Sequence, residues 1–304
     1  MRTRLLASLA MLALLGGCAT RPPLEEARLF ARAYNAVDAA SQPLLDDLAL
    51  AERRSGIAQY VDDEDAEGRV TRVGTRVFVD EFSNRLAPYY SALFDPPGTA
   101  VFRDALKLVG QYTEVLLTLA EGRNLETARA QLQMLSSNVA SVAALVPGAQ
   151  SLAPVVGPAL AALQPVIDAA AQAQNRAEME RLVVQAAPEL HKLIGALQDA
   201  ARPIFLVLIA DRRDAITVEG LDNPQLAEAA IDRVDGYRVA VSNYAVLLGQ
   251  LNHALDSLVS AFDSARSSVT LAALAEQSAE LSVQADALRR TFAVLRSGAA
   301  VATP

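Results

Sequence analysis

Few residues in this chain could do chemistry unaided. The one thiol is Cys18, and the only imidazoles are His191 and His253. Neither histidine is expected to have a second histidine, cysteine or carboxylate at a metal-binding offset of three or four on its helix, so no zinc site is expected. His253 falls two residues after Leu251 and two before Leu255, which sets it at a boundary or in solvent. A G-x-S-x-G elbow, an H-E-x-x-H helix, a phosphate-binding glycine loop and a dinucleotide fingerprint are all missing from the sequence. The 35 acidic residues offer many pairs that a fold could join as general acid and base, but no spacing singles one out. The residues therefore predict no catalytic site, no metal site and no cofactor.

The densest charge run is Asp62-Asp63-Glu64-Asp65-Ala66-Glu67-Gly68. Asp63, Asp65, Glu67 and Gly68 resemble positions one, three, five and six of an EF-hand calcium loop, with Val70 at the apolar position eight. Position twelve, which should supply a bidentate glutamate, is Gly74, and position five is Glu rather than Asp or Asn. The run is expected to be a solvated acidic loop, and calcium at 63–74 would bind weakly.

Cys18 stands in a more specific context. Met1-Arg2-Thr3-Arg4 is a short basic region, Leu5 to Leu15 is an apolar run too short to span a bilayer, and Leu15-Gly16-Gly17 precedes the cysteine. Leu15-Gly16-Gly17-Cys18 resembles the lipobox of bacterial lipoproteins. The resemblance implies that residues 1–17 are a signal peptide and that Cys18 is diacylglycerylated, becomes the new amino terminus and is itself acylated. Residues 18–23 are then a lipidated tether and 24–304 a single domain. Ala19 is not the aspartate associated with inner-membrane retention, so the resemblance implies the periplasmic face of the outer membrane, with surface exposure as the other placement.

Removal of residues 1–17 takes away Arg2 and Arg4, leaving 25 basic against 35 acidic residues and a net charge of −10. Such a body repels nucleic acid and anionic headgroups. With 52% apolar and 20% charged residues, a chain of this length can bury a large core, so it is expected to fold. Cys18 being the only cysteine, no disulfide holds it. Alanine, leucine and valine dominate, aromatic residues are 5% and tryptophan is absent, a composition that favours closely packed helices.

The periodicity agrees. Phe30, Tyr34, Val37, Leu44 and Leu48 share one helical face, with Pro43 inside, and that helix is expected to fade near Gly56 to Tyr60. A helix is expected from about Val73, with a short strand over Val70 to Val79 as the alternative, and Asp95-Pro96-Pro97-Gly98 is a turn. Phe102, Leu106, Val109, Thr113, Leu116 and Ala120 precede a terminating Gly122, and Asn124 caps a helix carrying Leu125, Ala128, Leu132, Leu135, Val139, Val142 and Val146. A long helix after Pro165, interrupted by Pro188 and Pro203, carries Met179, Leu182, Ala186, Leu190, Leu193 and Leu197, and the all-apolar Phe205 to Ile209 is expected at the centre of the body. From Val234 through Tyr237, Val241, Tyr244, Leu248, Leu251, Leu255 and Leu258 to Phe262 the spacing alternates three and four without a miss. Leu274, Leu281, Leu288 and Leu295 then recur every seven residues, with Ser278, Ala285 and Phe292 between them, after a register break over 264–268. The fold class is all-α, a bundle of long antiparallel helices with coiled-coil-like seams.

Residues 130–167 up to Ile167 carry no charge, but four prolines make them a poor spanning helix. Two functional readings follow. The first is a lipid-anchored, non-enzymatic scaffold or binding module that engages another envelope protein or its own copies. The second is a membrane-active protein that inserts 139–167, an architecture that resembles the α-helical pore-forming toxins of the cytolysin A type. Leu145, Val146, Val155, Val156 and Leu160 are the candidate membrane or partner contacts, and their burial discriminates between the two.

Overall fold

The computed structural model describes residues 23–65, 70–73, 76–79, 84, 86–148, 155–217, 224–263 and 268–297. The fold is an all-α bundle with one short β-hairpin. In chain order it runs α1 (Leu24–Asp65), β1 (Val70–Val73), β2 (Arg76–Val79), α2 (Ala87–Tyr90), α3 (Pro97–Ala120), α4 (Leu125–Leu145), a 3₁₀ turn (Val146–Gly148), α5 (Gly157–Ala171), α6 (Arg176–Gln185), α7 (Ala187–Asp199), α8 (Ala201–Leu208), α9 (Ala210–Thr217), α10 (Pro224–Asp263) and α11 (Ser268–Ser297).

The helix ends follow local chemistry. Gly122 takes φ +74°, and the Arg123 and Gly122 amides donate to the Thr118 and Leu119 carbonyls, which closes α3 with a Schellman motif. Two residues on, Asn124 Oδ1 accepts from the Thr127 amide at 2.8 Å and starts α4. Every predicted seam residue of α10 from Val234 to Leu258 is buried, as are all seven of α11. Phe30, Tyr34, Val37, Leu44 and Leu48 are buried on α1.

Cross-helix contacts fix the directions. Glu52 meets Gly98 and Thr99, Arg103 meets Gln42 and Asp46, and Tyr34 lies against Gly110, so α3 runs antiparallel to α1. Ser136 and Gln164 share Asp168, which pairs α4 with α5. Arg176 donates to the Leu119 and Arg123 carbonyls, so α6 starts where α3 ends. Tyr237 Oη reaches Asp47, Gln250 Nε2 reaches Glu280, and Arg296 reaches Asp47 and the Pro43 carbonyl. By these levels α11 runs antiparallel to α10 and parallel to α1. The bundle thus has a proximal end, where α1 begins and the connections after α3, α5 and α10 are short, and a distal end, where the long connections gather.

Four expectations are corrected. Helix α1 does not fade at Gly56 but continues to Asp65, because Tyr60 and Val61 are buried and Gly56 makes room for the Tyr89 ring: a Cβ there would stand 2.5 Å from Tyr89 Cδ1. Where a helix is expected from Val73, the chain forms an antiparallel hairpin with Val70 opposite Val79 and Val73 opposite Arg76, in keeping with the β preference of valine, threonine and phenylalanine. After Pro165 the long helix is broken at 172–175, where Asn175 Oδ1 caps α6 by accepting from the Glu178 amide at 3.0 Å. Phe205 to Ile209 is only partly central: Leu208 and Ile209 are buried in the core, while α8, packed on α1 and α10, leaves Leu206 45% exposed.

Candidate binding groove at the distal end

Cys18 and its lipobox lie outside the described residues, as do the side chains of the acidic run. The backbone there is helical through Asp65 and enters the hairpin at Val70, so the helix–loop–helix frame of an EF-hand is not formed. No group of three or more His, Cys, Asp or Glu side chains placed to hold a metal ion occurs among the described residues.

The histidines need one correction. Asp256 stands three residues after His253, a carboxylate at helical spacing that the sequence expectation left aside, and its partner across the helices is His191. His191 Nε2 lies 3.0 Å from Asp256 Oδ1 and Nδ1 lies 2.6 Å from Asn252 Oδ1. Both ring nitrogens are engaged, so the ring clamps α7 to α10 and offers no free atom to a substrate. His253 faces solvent, 3.9 Å from the other Asp256 oxygen.

The five apolar candidates divide. Val156 and Leu160 are fully buried, and Val146 and Val155 pack half-buried against the core. Leu145 alone is exposed, at 37%, and it is the last residue of α4. It opens into a groove of about 810 Å³ at the distal end. Helix α1 contributes Asp46, Ala49, Leu50 and Arg53, α3 contributes Pro97, Ala100, Asp104 and Lys107, and the segment between α2 and α3 contributes Ala92, Leu93, Phe94 and Asp95. This volume lies within the range of ligand and partner pockets.

That segment is held from several sides. Arg53 Nη2 donates to the Phe94 carbonyl at 2.7 Å, Arg103 Nε donates to Asp95 Oδ2 at 2.7 Å, and the Leu93 amide donates to Ser91 Oγ at 3.1 Å. Arg103 is anchored in turn by Gln42 and by Asp46 at 3.0 Å. One turn on, Glu52 caps α3 from outside the helix: Oε1 accepts from the Gly98 amide at 2.7 Å, and Oε2 accepts from the Thr99 amide at 2.7 Å and from Thr99 Oγ1 at 2.8 Å. Burial pushes the Glu52 carboxyl above the usual glutamate range, with the Asp95 charge adding to it and the three hydrogen bonds opposing it. Burial, and then the Glu52 charge, raises the Tyr89 phenol.

The pinned backbone presents Leu93 at 83% exposure and Phe94 at 78%, and Leu50 of the same lining is also exposed. No residue of the groove lining is a serine, cysteine or histidine. Sequence periodicity misplaces this site: Leu86, Tyr89, Tyr90 and Leu93 have the spacing of a helix face, but the helix ends at Tyr90 and leaves Leu93 and Phe94 beyond it in solvent.

No protein-family description, curated protein or solved structure matches the chain.

Proposed function

We propose that the chain is a lipid-anchored protein of the bacterial envelope, acylated at Cys18, that acts as a non-enzymatic binding module and takes its partner in the distal groove. The observation that carries this reading is the pair Leu93 and Phe94. Large apolar side chains held into solvent by a backbone fixed through Arg53 and Arg103 favour a surface built to be covered. The distance along the bundle agrees with it. Leu50 lies 26 residues beyond Leu24, about 39 Å along α1 at ~1.5 Å per residue. With a tether that extends about 20 Å, the groove stands as much as ~60 Å from the anchoring membrane, within reach of another envelope protein or of a neighbouring copy.

The membrane-active alternative over 139–167 has weaker support. Val139, Val142, Val156 and Leu160 are buried, and no helix among the described residues is long and apolar enough to cross a membrane.

Two measurements test the reading. Labelled fatty acid should enter the wild type and not Cys18→Ala, and label on that variant would overturn the anchor. A photo-crosslinking residue at Leu145 should give one stoichiometric protein adduct in cells, identified by mass spectrometry, while the same residue at Val283, exposed on α11 and outside the groove, should give none. Equal adducts at both positions, or none at Leu145, would reject the groove as a binding surface.

A further inference from the structure

Resting on that reading, we propose that the occupant of the groove is a second copy of this chain, related by a two-fold axis, with Leu93 and Phe94 of each copy entering the groove of the other. An isologous interface demands a patch that complements itself. Here the projecting side chains and the recess lie side by side: Leu93 and Phe94 line the same groove as Ala49, Leu50 and Ala100, whose small and aliphatic side chains leave the space that an aromatic ring needs.

The area is adequate. Leu50, Leu93, Phe94 and Leu145 of the lining are 51%, 83%, 78% and 37% exposed. At roughly 200 Å² for a whole side chain of this kind they leave about 500 Å² of surface open, within the range of the largest patch on a monomer. Two such patches facing each other bury about 1,000 Å², the least that a specific interface needs.

The rim charges also fit a copy of the same chain. Asp46 and Asp95 pair with Arg103 and Asp104 pairs with Lys107 within the chain, and Arg53 also lines the groove, so the rim carries both signs in near balance. A rim of a single sign would repel its own copy. An axis parallel to the long helices keeps both Cys18 tethers at one end, so two copies anchored in one leaflet can meet without bending either bundle.

The test is the assembly state of the full chain, extracted from membranes in mild detergent and followed by sedimentation velocity with the detergent density-matched, across a dilution series. The wild type should be a reversible dimer. Phe94→Asp should raise the dimer dissociation constant roughly tenfold or more, Leu93→Asp should act likewise, and Val283→Asp should leave it unchanged. All three side chains are largely exposed, so helicity and melting temperature should stay at wild-type values, which separates lost assembly from lost folding. The adduct formed from Leu145 in cells should be a second copy of the chain. A wild type that stays monomeric at every concentration, or a dimer indifferent to both groove substitutions, would overturn the proposal. In that event a Leu145 adduct with a different protein leaves the groove as a binding surface with another occupant, and no adduct removes both readings.

Discussion

Tyr112 and Tyr244 are both fully buried, yet their hydroxyls have opposite fates. Tyr112 Oη donates to the Val183 carbonyl at 2.7 Å and ties α3 to α6, while Tyr244 Oη, sealed on the α10 seam, has no hydrogen-bond partner. A buried polar group without a partner costs about 1–3 kcal/mol, whereas a made bond contributes about 1 kcal/mol net. Tyr244→Phe should therefore be neutral or stabilise by about 1 kcal/mol, and Tyr112→Phe should destabilise by about 1–2 kcal/mol, both read by urea unfolding. A clear loss in Tyr244→Phe would mean that its hydroxyl is bonded.

Glu52 makes a pH prediction at the same scale. Because its folded carboxyl titrates above the ordinary value of about 4.3, the ionised form is the one that folding disfavours. Its contribution to stability is fully present below that ordinary value and is lost as pH rises through the raised one. Any advantage of Glu52→Gln over the wild type should thus be greatest near neutral pH and shrink as the pH falls through the raised value, measured as the difference in melting temperature. Glu52→Ala, which strands the Gly98 and Thr99 amides, should destabilise by about 2 kcal/mol at neutral pH.

At the scale of elements, the glycines of α3 and α7 look alike in sequence and differ in surroundings. A Cβ on Gly110 would stand 2.5 Å from the Tyr34 ring of α1, while a Cβ on Gly195 would meet nothing within 4 Å. Gly110→Ala should destabilise by about 1–3 kcal/mol through overpacking and be partly rescued by Tyr34→Leu. Gly195→Ala should stabilise by about 0.5–1 kcal/mol through helix propensity. Chemical denaturation of the four proteins checks the ordering. The caps show what was legible at this level. Asn124 with Gly122 before it was readable as a helix boundary, because capping is a contact over three residues. Asn175 with Glu178 carries the same kind of signal, but the continuous Met179 to Leu197 periodicity masks it. The hairpin at 70–79 was ambiguous for a related reason: its valines fit a strand and a helix face equally well over so short a run.

At the scale of the whole molecule, the seam of α10 is where α1, α7 and α11 meet, and Leu251 sits in it fully buried. Leu251→Asp would place an unpaired charge there and should cost several kcal/mol. An unchanged thermal transition would deny that the seam is the core. The groove belongs to this scale too. It exists because the segment before α3 is held against α1 by Arg53 and Arg103, while Glu52 fixes the first turn of α3 beside it.

What the sequence determined by itself is whatever repeats along the chain or sits between near neighbours: the all-α class, the seams of α4, α10 and α11, and the caps at Asn124 and Gly122; an anchor at Cys18 it sets as an expectation. Helical order puts the relevant partners three, four or seven residues apart, so such features are written locally. Only the tertiary structure decided which apolar residues stay uncovered. Leu145 and Leu160 come from one uncharged stretch, yet one opens into the groove and the other is sealed; Phe205 to Ile209 reads as core throughout, yet Leu206 is exposed while Leu208 and Ile209 are buried; His191 finds Asn252 and Asp256 some sixty residues away. Burial depends on what packs across a side chain, and that neighbour can come from anywhere in the chain, or from another molecule.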